Sequence, residues 1–121
     1  MGGFGFGFGS AFKRSSVVAY DADAQAYFDA VPNAYDDTYK GYINTLVTTL
    51  KSDGNWTKLD RLWLFANTTT GNAIIDLKAL ASATLVNAPA FVADQGYTGD
   101  GSTSYINSNY TPTNATINTY S

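Results

Sequence analysis

The sequence contains no cysteine and no histidine, and all ten of its acidic residues are aspartate. Without cysteine there can be neither a disulfide framework nor a thiolate metal site. Without histidine the chain lacks the commonest general base and the commonest transition-metal ligand. Catalysis would have to rest on an aspartate pair or a lysine, so the composition points away from an enzyme, a metal or another cofactor. Positive charge is scarce as well. Seven Lys and Arg, spread along the chain, stand against ten Asp and leave a net charge of −3 with a pI near 4.4. Nucleic acid is therefore not an expected partner, because phosphate binding needs a concentrated basic face. No apolar run approaches the roughly 20 residues of a membrane helix, so membrane insertion is not expected. The first residues do not form a signal-peptide pattern either: Lys13-Arg14 follow the glycines instead of preceding an apolar stretch, which predicts synthesis in the cytoplasm.

Aromatic residues, at 15%, and Gly, Thr, Asn and Ser fill the chain instead. Residues 2–9 read Gly-Gly-Phe-Gly-Phe-Gly-Phe-Gly. Alternation at period two sets Phe4, Phe6 and Phe8 on one face of an extended strand, while the glycines admit a second backbone on the other face. Such a segment has no cover for its rings by itself. It reads either as a low-complexity tail or as a docking strand that orders on a partner, with Phe4, Phe6, Phe8 and Phe12 as anchors; the docking strand is the expectation.

Residues 13–16 look like a polar hinge. Asp21 or Asp23 can cap a helix over residues 24–30 that Pro32 stops, with Tyr27, Phe28 and Val31 as its apolar side. A second helix is predicted over residues 37–52, where Tyr39, Ile43, Leu46 and Leu50 recur at helical spacing, Lys51 lies in the last turn and Gly54 just beyond. Asn55 can cap a third, residues 56–66, with Trp56, Leu59, Leu62, Trp63 and Ala66 on one side. The spacing predicts a helical hairpin of the second and third helices with an aromatic core. Residues 17–66 would thus form a helical region, behind an anchoring segment of residues 1–16.

From Asn67 onward the composition turns to Thr, Asn, Ser and Gly, and residues 67–121 read as β-rich. Strands are predicted over residues 73–77, over 83–86, and at an apolar piece starting at Phe91. A strand, Asp100-Gly101 turn and second strand follow over residues 95–106, and a last strand over 115–120. The fold class is α+β. Asp94, Asp100, Asn107 and Asn109 could supply calcium oxygens, but their spacing fits no binding loop and Asp-Gly is first a turn signal. Asn55, Asn67, Asn109 and Asn114 each begin a glycosylation triplet, as chance produces in so Asn- and Thr-rich a chain. Tyr97, Tyr105 and Tyr110 are candidate glycan contacts, since exposed rings on a β-surface can stack on sugars.

The order and spacing of Asp23-Ala24-Gln25-Ala26, the Ile43-to-Leu50 helix, the Trp56-Thr57-Lys58-Leu59-Asp60-Arg61-Leu62-Trp63 run and Gly96-Tyr97-Thr98-Gly99-Asp100-Gly101 resemble a family of bacteriophage virion proteins. The resemblance spans nearly the whole chain and implies a tail or head-fibre component. Residues 97–106 and 115–121 resemble the opening hairpin and strand of a concanavalin A-like (laminin-G-like) sandwich, a fold that often binds carbohydrate. It further implies that the sandwich, only begun here, continues in a longer protein or is completed by neighbouring subunits. The implied partners are capsid, portal or tail proteins through the N-terminus, other copies of the chain (a trimer if it builds a fibre), and a host-surface glycan. The implied location is the virion, assembled in the host cytoplasm. The rival from another class is a carbohydrate-binding module outside any virion, which would have no need of a Gly-Phe docking strand.

Overall fold

A computed structural model describes residues 19–111. Within them the helices precede the strands, an α+β arrangement with three α-helices and two small antiparallel sheets.

Helix α1, Ala22–Ala30, begins where the Asp21 carboxylate accepts the Asp23 N–H at 2.9 Å, satisfying one of the donors a helix start leaves free. It ends at Val31, whose extended backbone is what a following proline demands. Ala24, Tyr27 and Phe28 face inward at helical spacing. Helix α2, Asp37–Ser52, is capped by Asp36, which accepts the Tyr39 N–H at 2.8 Å. Its C-terminus closes with Gly54 N–H on the Lys51 carbonyl and Asn55 N–H on that of Leu50, and Gly54 takes φ +74°. That pair of bonds needs a left-handed residue, which is why a glycine sits there. Ile43 and Val47 are the buried stripe of α2, with Leu46 and Leu50 beside it.

The predicted third helix is not formed. Only Trp56–Lys58 makes a single 3-10 turn, and from Leu59 (φ −87°, ψ 135°) the chain is extended. Residues 62–65 instead alternate: Leu62 and Leu64 pack on the core, while Trp63 and Phe65 stack on each other. The helical and the period-two patterns both fit this short run, and burial with buried backbone partners decides for the second. The Leu62 N–H donates to Asp76 at 2.7 Å, its carbonyl accepts the Leu77 N–H at 2.7 Å, and Trp63 bridges Asp76. The helical partner of α2 is accordingly α1.

Helix α3 is one turn, Thr70–Ala73, and it occupies part of the predicted strand at 73–77, which survives only as bridges at Ile75 and Asp76. Strand β1, Thr84–Val86, pairs antiparallel with β4, Tyr105–Asn107; β2, Ala90–Val92, pairs with β3, Gly96–Thr98. The expected strands on either side of Asp100-Gly101 are therefore present but do not pair with each other. The connection between them, residues 99–104, is too long for a two-residue hairpin turn, and each strand finds an older neighbour. The predicted strand at 115–120 lies outside the described residues.

One core serves both the helical and the β-rich parts. Tyr27, Phe28, Val31, Tyr35, Ile43, Val47 and Trp56 pack with Leu77 from beyond the expected boundary at residue 66. A closed ring of hydrogen bonds crosses the same boundary. Tyr27 and Tyr35 hydroxyls lie 3.1 Å apart, Tyr35 donates to Asn67 Oδ1 at 2.8 Å, and Asn67 Nδ2 returns to Tyr27 at 3.3 Å. Because the Tyr35 proton is spent on Asn67, Tyr27 donates to Tyr35, and each group then both gives and receives. Asn72, likewise fully buried, trades two bonds with the Asn33 backbone, at 3.0 and 2.7 Å.

Candidate functional site

Phe4, Phe6, Phe8 and Phe12, the residues expected to anchor the chain, lie outside the described residues. What is described is the root from which that segment leads. The Asp21 N–H donates to Asn44 Oδ1 at 2.7 Å, and the Asp21 carboxylate takes both oxygens to Lys51 Nζ at 2.8 and 2.9 Å. Lys51 also meets Asp23 at 2.6 Å. The ammonium beside it holds the Asp21 carboxyl below its ordinary value, and the two aspartates raise Lys51 in turn. The chain therefore enters α1 through a fixed point on the C-terminal half of α2.

The three candidate glycan contacts are placed in three different settings. Tyr97 is half-buried, with its hydroxyl 2.6 Å from Thr70 Oγ1 and its ring 5.0 Å from Phe91 and 5.8 Å from Phe65. Tyr105 is 56% exposed on β4, opposite Val86. Tyr110 donates to Asp60 at 2.8 Å, and the Arg61 guanidinium lies 4.7 Å over its ring. Tyr97 and Tyr110 thus have structural duties, and Tyr105 presents its ring to solvent.

Around Tyr97 the structure assembles a feature that the residue pattern did not announce. Trp63 and Phe65 stack at 6.4 Å with 16° between their planes, Phe65 meets Tyr97 edge-on, and Tyr97 faces its cross-strand partner Phe91. All four rings are half-buried, forming one aromatic row that links the extended segment to the β2–β3 sheet. Gly96, beside the Phe65 carbonyl, takes φ +105°, a backbone conformation that favours glycine. The signal available in sequence was the Leu-Trp-Leu-Phe alternation at residues 62–65, masked by an equally good helical stripe.

The four residues weighed as calcium oxygens do other work or stand apart. Asp100 accepts the backbone N–H groups of Ser102, Thr103 and Ser104, which hold its carboxyl well below the usual carboxylate range. Asn107 accepts the Asn109 N–H, and Asn109 donates to Ser82 and Thr84. Asp94 is exposed with φ +63°. Among the described residues no three acidic groups gather as a metal site would require, and no helix is long and apolar enough to cross a membrane. Asn67, of the glycosylation triplets, is fully buried and hydrogen-bonded, so it cannot carry a glycan in the folded chain.

The buried Asp76 anchors the extended segment. Its Oδ1 accepts from Leu62 and Lys78 and its Oδ2 from Ala79, with Arg61 Nε at 3.5 Å from Oδ2. These contacts are architectural. Comparison with protein-family models, curated proteins and solved structures returned no significant match.

Proposed function

We propose that this chain is a non-enzymatic structural and attachment component of a bacteriophage particle, a tail or head-fibre appendage. It is held through Phe4, Phe6, Phe8 and Phe12, and it displays a host-surface-binding module. The observation that carries the reading is the clamp at Asp21. A load applied to the preceding segment passes through the Asn44 bond and the Lys51 pair into α2, the longest helix of the described body. A fixed root of this kind is what an anchoring segment needs. The buried polar groups support the same reading, because Tyr27, Tyr35, Asn67, Asn72 and Asp76 all satisfy one another or backbone. Nothing in that set is held back for chemistry on a substrate. Capsid, portal or tail proteins are the proposed partners of the N-terminus, with other copies of the chain alongside and a host glycan as ligand.

Mass spectrometry of purified particles tests the proposal. The chain should co-purify at a fixed ratio to the major structural proteins, and its recovery only in the soluble lysate would overturn the reading. The alternative, a carbohydrate-binding module outside any virion, draws on the exposed Tyr105 ring. It predicts glycan binding by a chain that never enters particles.

A further inference from the structure

We propose that Tyr42 is the exit of a tyrosine relay, the site at which an oxidising equivalent created in the core reaches the surface and joins two copies of this chain through a dityrosine bond. Four phenol rings make the relay. Tyr27 and Tyr35 lie 6.1 Å apart between centroids, Tyr35 and Tyr39 stack at 4.8 Å with 2° between their planes, and Tyr39 and Tyr42 lie 6.4 Å apart. Burial falls away along the series, from 0% exposure at Tyr27 and 6% at Tyr35, through half-buried Tyr39, to 68% at Tyr42. Rings at these distances are in contact, so an electron missing from one is filled from the next. The chain has no cysteine and a single methionine, Met1, which lies outside the described residues, so tyrosine and tryptophan carry the oxidation of the described body. The Trp63–Phe65–Tyr97–Phe91 row is no rival path, because its two phenylalanines give up electrons far less readily than a phenol does.

Protons decide where the vacancy settles. A phenol that loses an electron must also lose its hydroxyl proton to become a neutral phenoxyl radical. Tyr27 donates to Tyr35, Tyr35 to the Asn67 amide oxygen, and Tyr39 to the Ala66 carbonyl at 3.0 Å. An amide oxygen accepts a hydrogen bond but is too weak a base to take the proton. Burial also raises the Tyr27 and Tyr39 hydroxyls above their ordinary value, so these protons are held more tightly. Tyr42 opens to water, which carries its proton away.

The surface around Tyr42 admits a second copy. Its neighbours one turn away along α2 are Thr38, Tyr39, Thr45 and Leu46, none of them charged, so two copies meet there without opposing like charges. The oxidant is dioxygen under ultraviolet light. Light ejects an electron from a ring of the relay, and dioxygen takes it up as superoxide. Electrons then pass inward ring by ring until the vacancy stands at Tyr42, which releases its proton and becomes a phenoxyl radical. Two such radicals form a bond between the ring carbons beside their oxygens. Each of those carbons then loses its hydrogen as a proton, while each oxygen regains one. The pair of tyrosines thereby loses two electrons and two protons, and dioxygen gains both as hydrogen peroxide once superoxide dismutates.

Cross-linked dimers of the full chain, formed by ultraviolet irradiation in air, test this when their dityrosine-bearing peptides are mapped by mass spectrometry. Tyr105 is the internal comparison, 56% exposed, with Val86 opposite it and no aromatic ring in contact among the described residues. Exposure alone predicts nearly equal use of the two rings, whereas the relay predicts linkage through Tyr42 several times more often than through Tyr105. Tyr39→Phe keeps a ring in the stack but interrupts the relay, so the share of Tyr42 should fall to that of Tyr105. Tyr42→Phe should remove most of the dimer and leave the circular dichroism spectrum unchanged. Equal linkage through both rings in the unaltered chain overturns the proposal whether or not the variants fold. So does a folded Tyr39→Phe chain in which Tyr42 keeps its share, or a Tyr42→Phe chain that cross-links as readily as the unaltered one.

Discussion

Replacing Asp76 by alanine should be among the most damaging single changes in the described body. Asp76 is fully buried and links three stretches of chain: Leu62 on the extended segment, Lys78 and Ala79 on the loop that follows it, and Arg61. Alanine leaves three backbone N–H groups without their acceptor, each costing about 1–3 kcal/mol where it stays buried. Arg61 loses its counter-charge too, but at 28% side-chain exposure it can turn partly to water. The losses overlap, because the loop can relax and water can enter, so the net cost is about 3–5 kcal/mol. A domain of this size has about 5–14 kcal/mol in all, so about a fifth or more of the stability goes. Urea unfolding followed by tryptophan emission and circular dichroism reads this as a midpoint lowered by about 2 M. Arg61→Met separates the hydrogen bonds from the ion pair. The Arg61 Nε is buried without a hydrogen bond, and Asp76 would keep its three N–H donors, so this variant should lose much less. A loss below about 1 kcal/mol for Asp76→Ala, or an equal loss for both variants, would refute the reasoning.

The two tryptophans should behave differently. Trp56, 6% exposed in the core, should cost about 3–5 kcal/mol on truncation to alanine, whereas half-buried Trp63 should cost about 1–3 kcal/mol, and equal melting points for the two variants would count against the extended path of residues 59–66. Asp100 titrates well below its ordinary value of 3.8 in the folded chain, so its stabilisation is present above that value and is lost as pH falls through the lower folded one; Asp100→Asn should flatten the acid limb of the stability profile, and an unchanged limb would contradict the backbone cradle. Burial, together with the Tyr35 bond, pushes the Tyr27 hydroxyl far above its ordinary 10.0, so stability should decline as pH rises past that value, and Tyr27→Phe should soften the alkaline decline while lowering stability near neutrality.

Where the residues allowed one local solution, the sequence was enough. Both long helices carry an aspartate cap at the start, and α2 ends on a glycine that only a left-handed turn requires, so the bounds of α2 could be read directly. Helix α1 starts at Ala22, two residues before the expected start, because Asp21 and not Asp23 is its cap. The short strands around Leu85, Phe91, Tyr97 and Ile106 were legible as strands for their β-branched and aromatic content. Their pairing was not, because three-residue strands carry too little pattern to fix a partner, and β4 turns back to β1 across more than a dozen residues. The failure at residues 59–66 has a sharper cause. Leu62, Trp63, Leu64 and Phe65 satisfy a helical stripe and a two-sided strand alike, and the deciding term is a buried carboxylate fourteen residues away at Asp76. The aromatic row went with that helix: Tyr97 is legible singly, but Trp63 falls on the seam of a helix that does not form, and Phe65 lies off that seam with no role.

The central claim is attachment through the Phe-Gly segment, and deleting residues 2–9 from the chain expressed during infection tests it most directly. The clamp at Asp21 and the described core are built from residues 20–77, so the deleted chain should accumulate with an unchanged far-ultraviolet spectrum and melting point. Quantified in purified particles against the major structural proteins, it should be lost from the assembly. Incorporation at the level of the unaltered chain would contradict the claim.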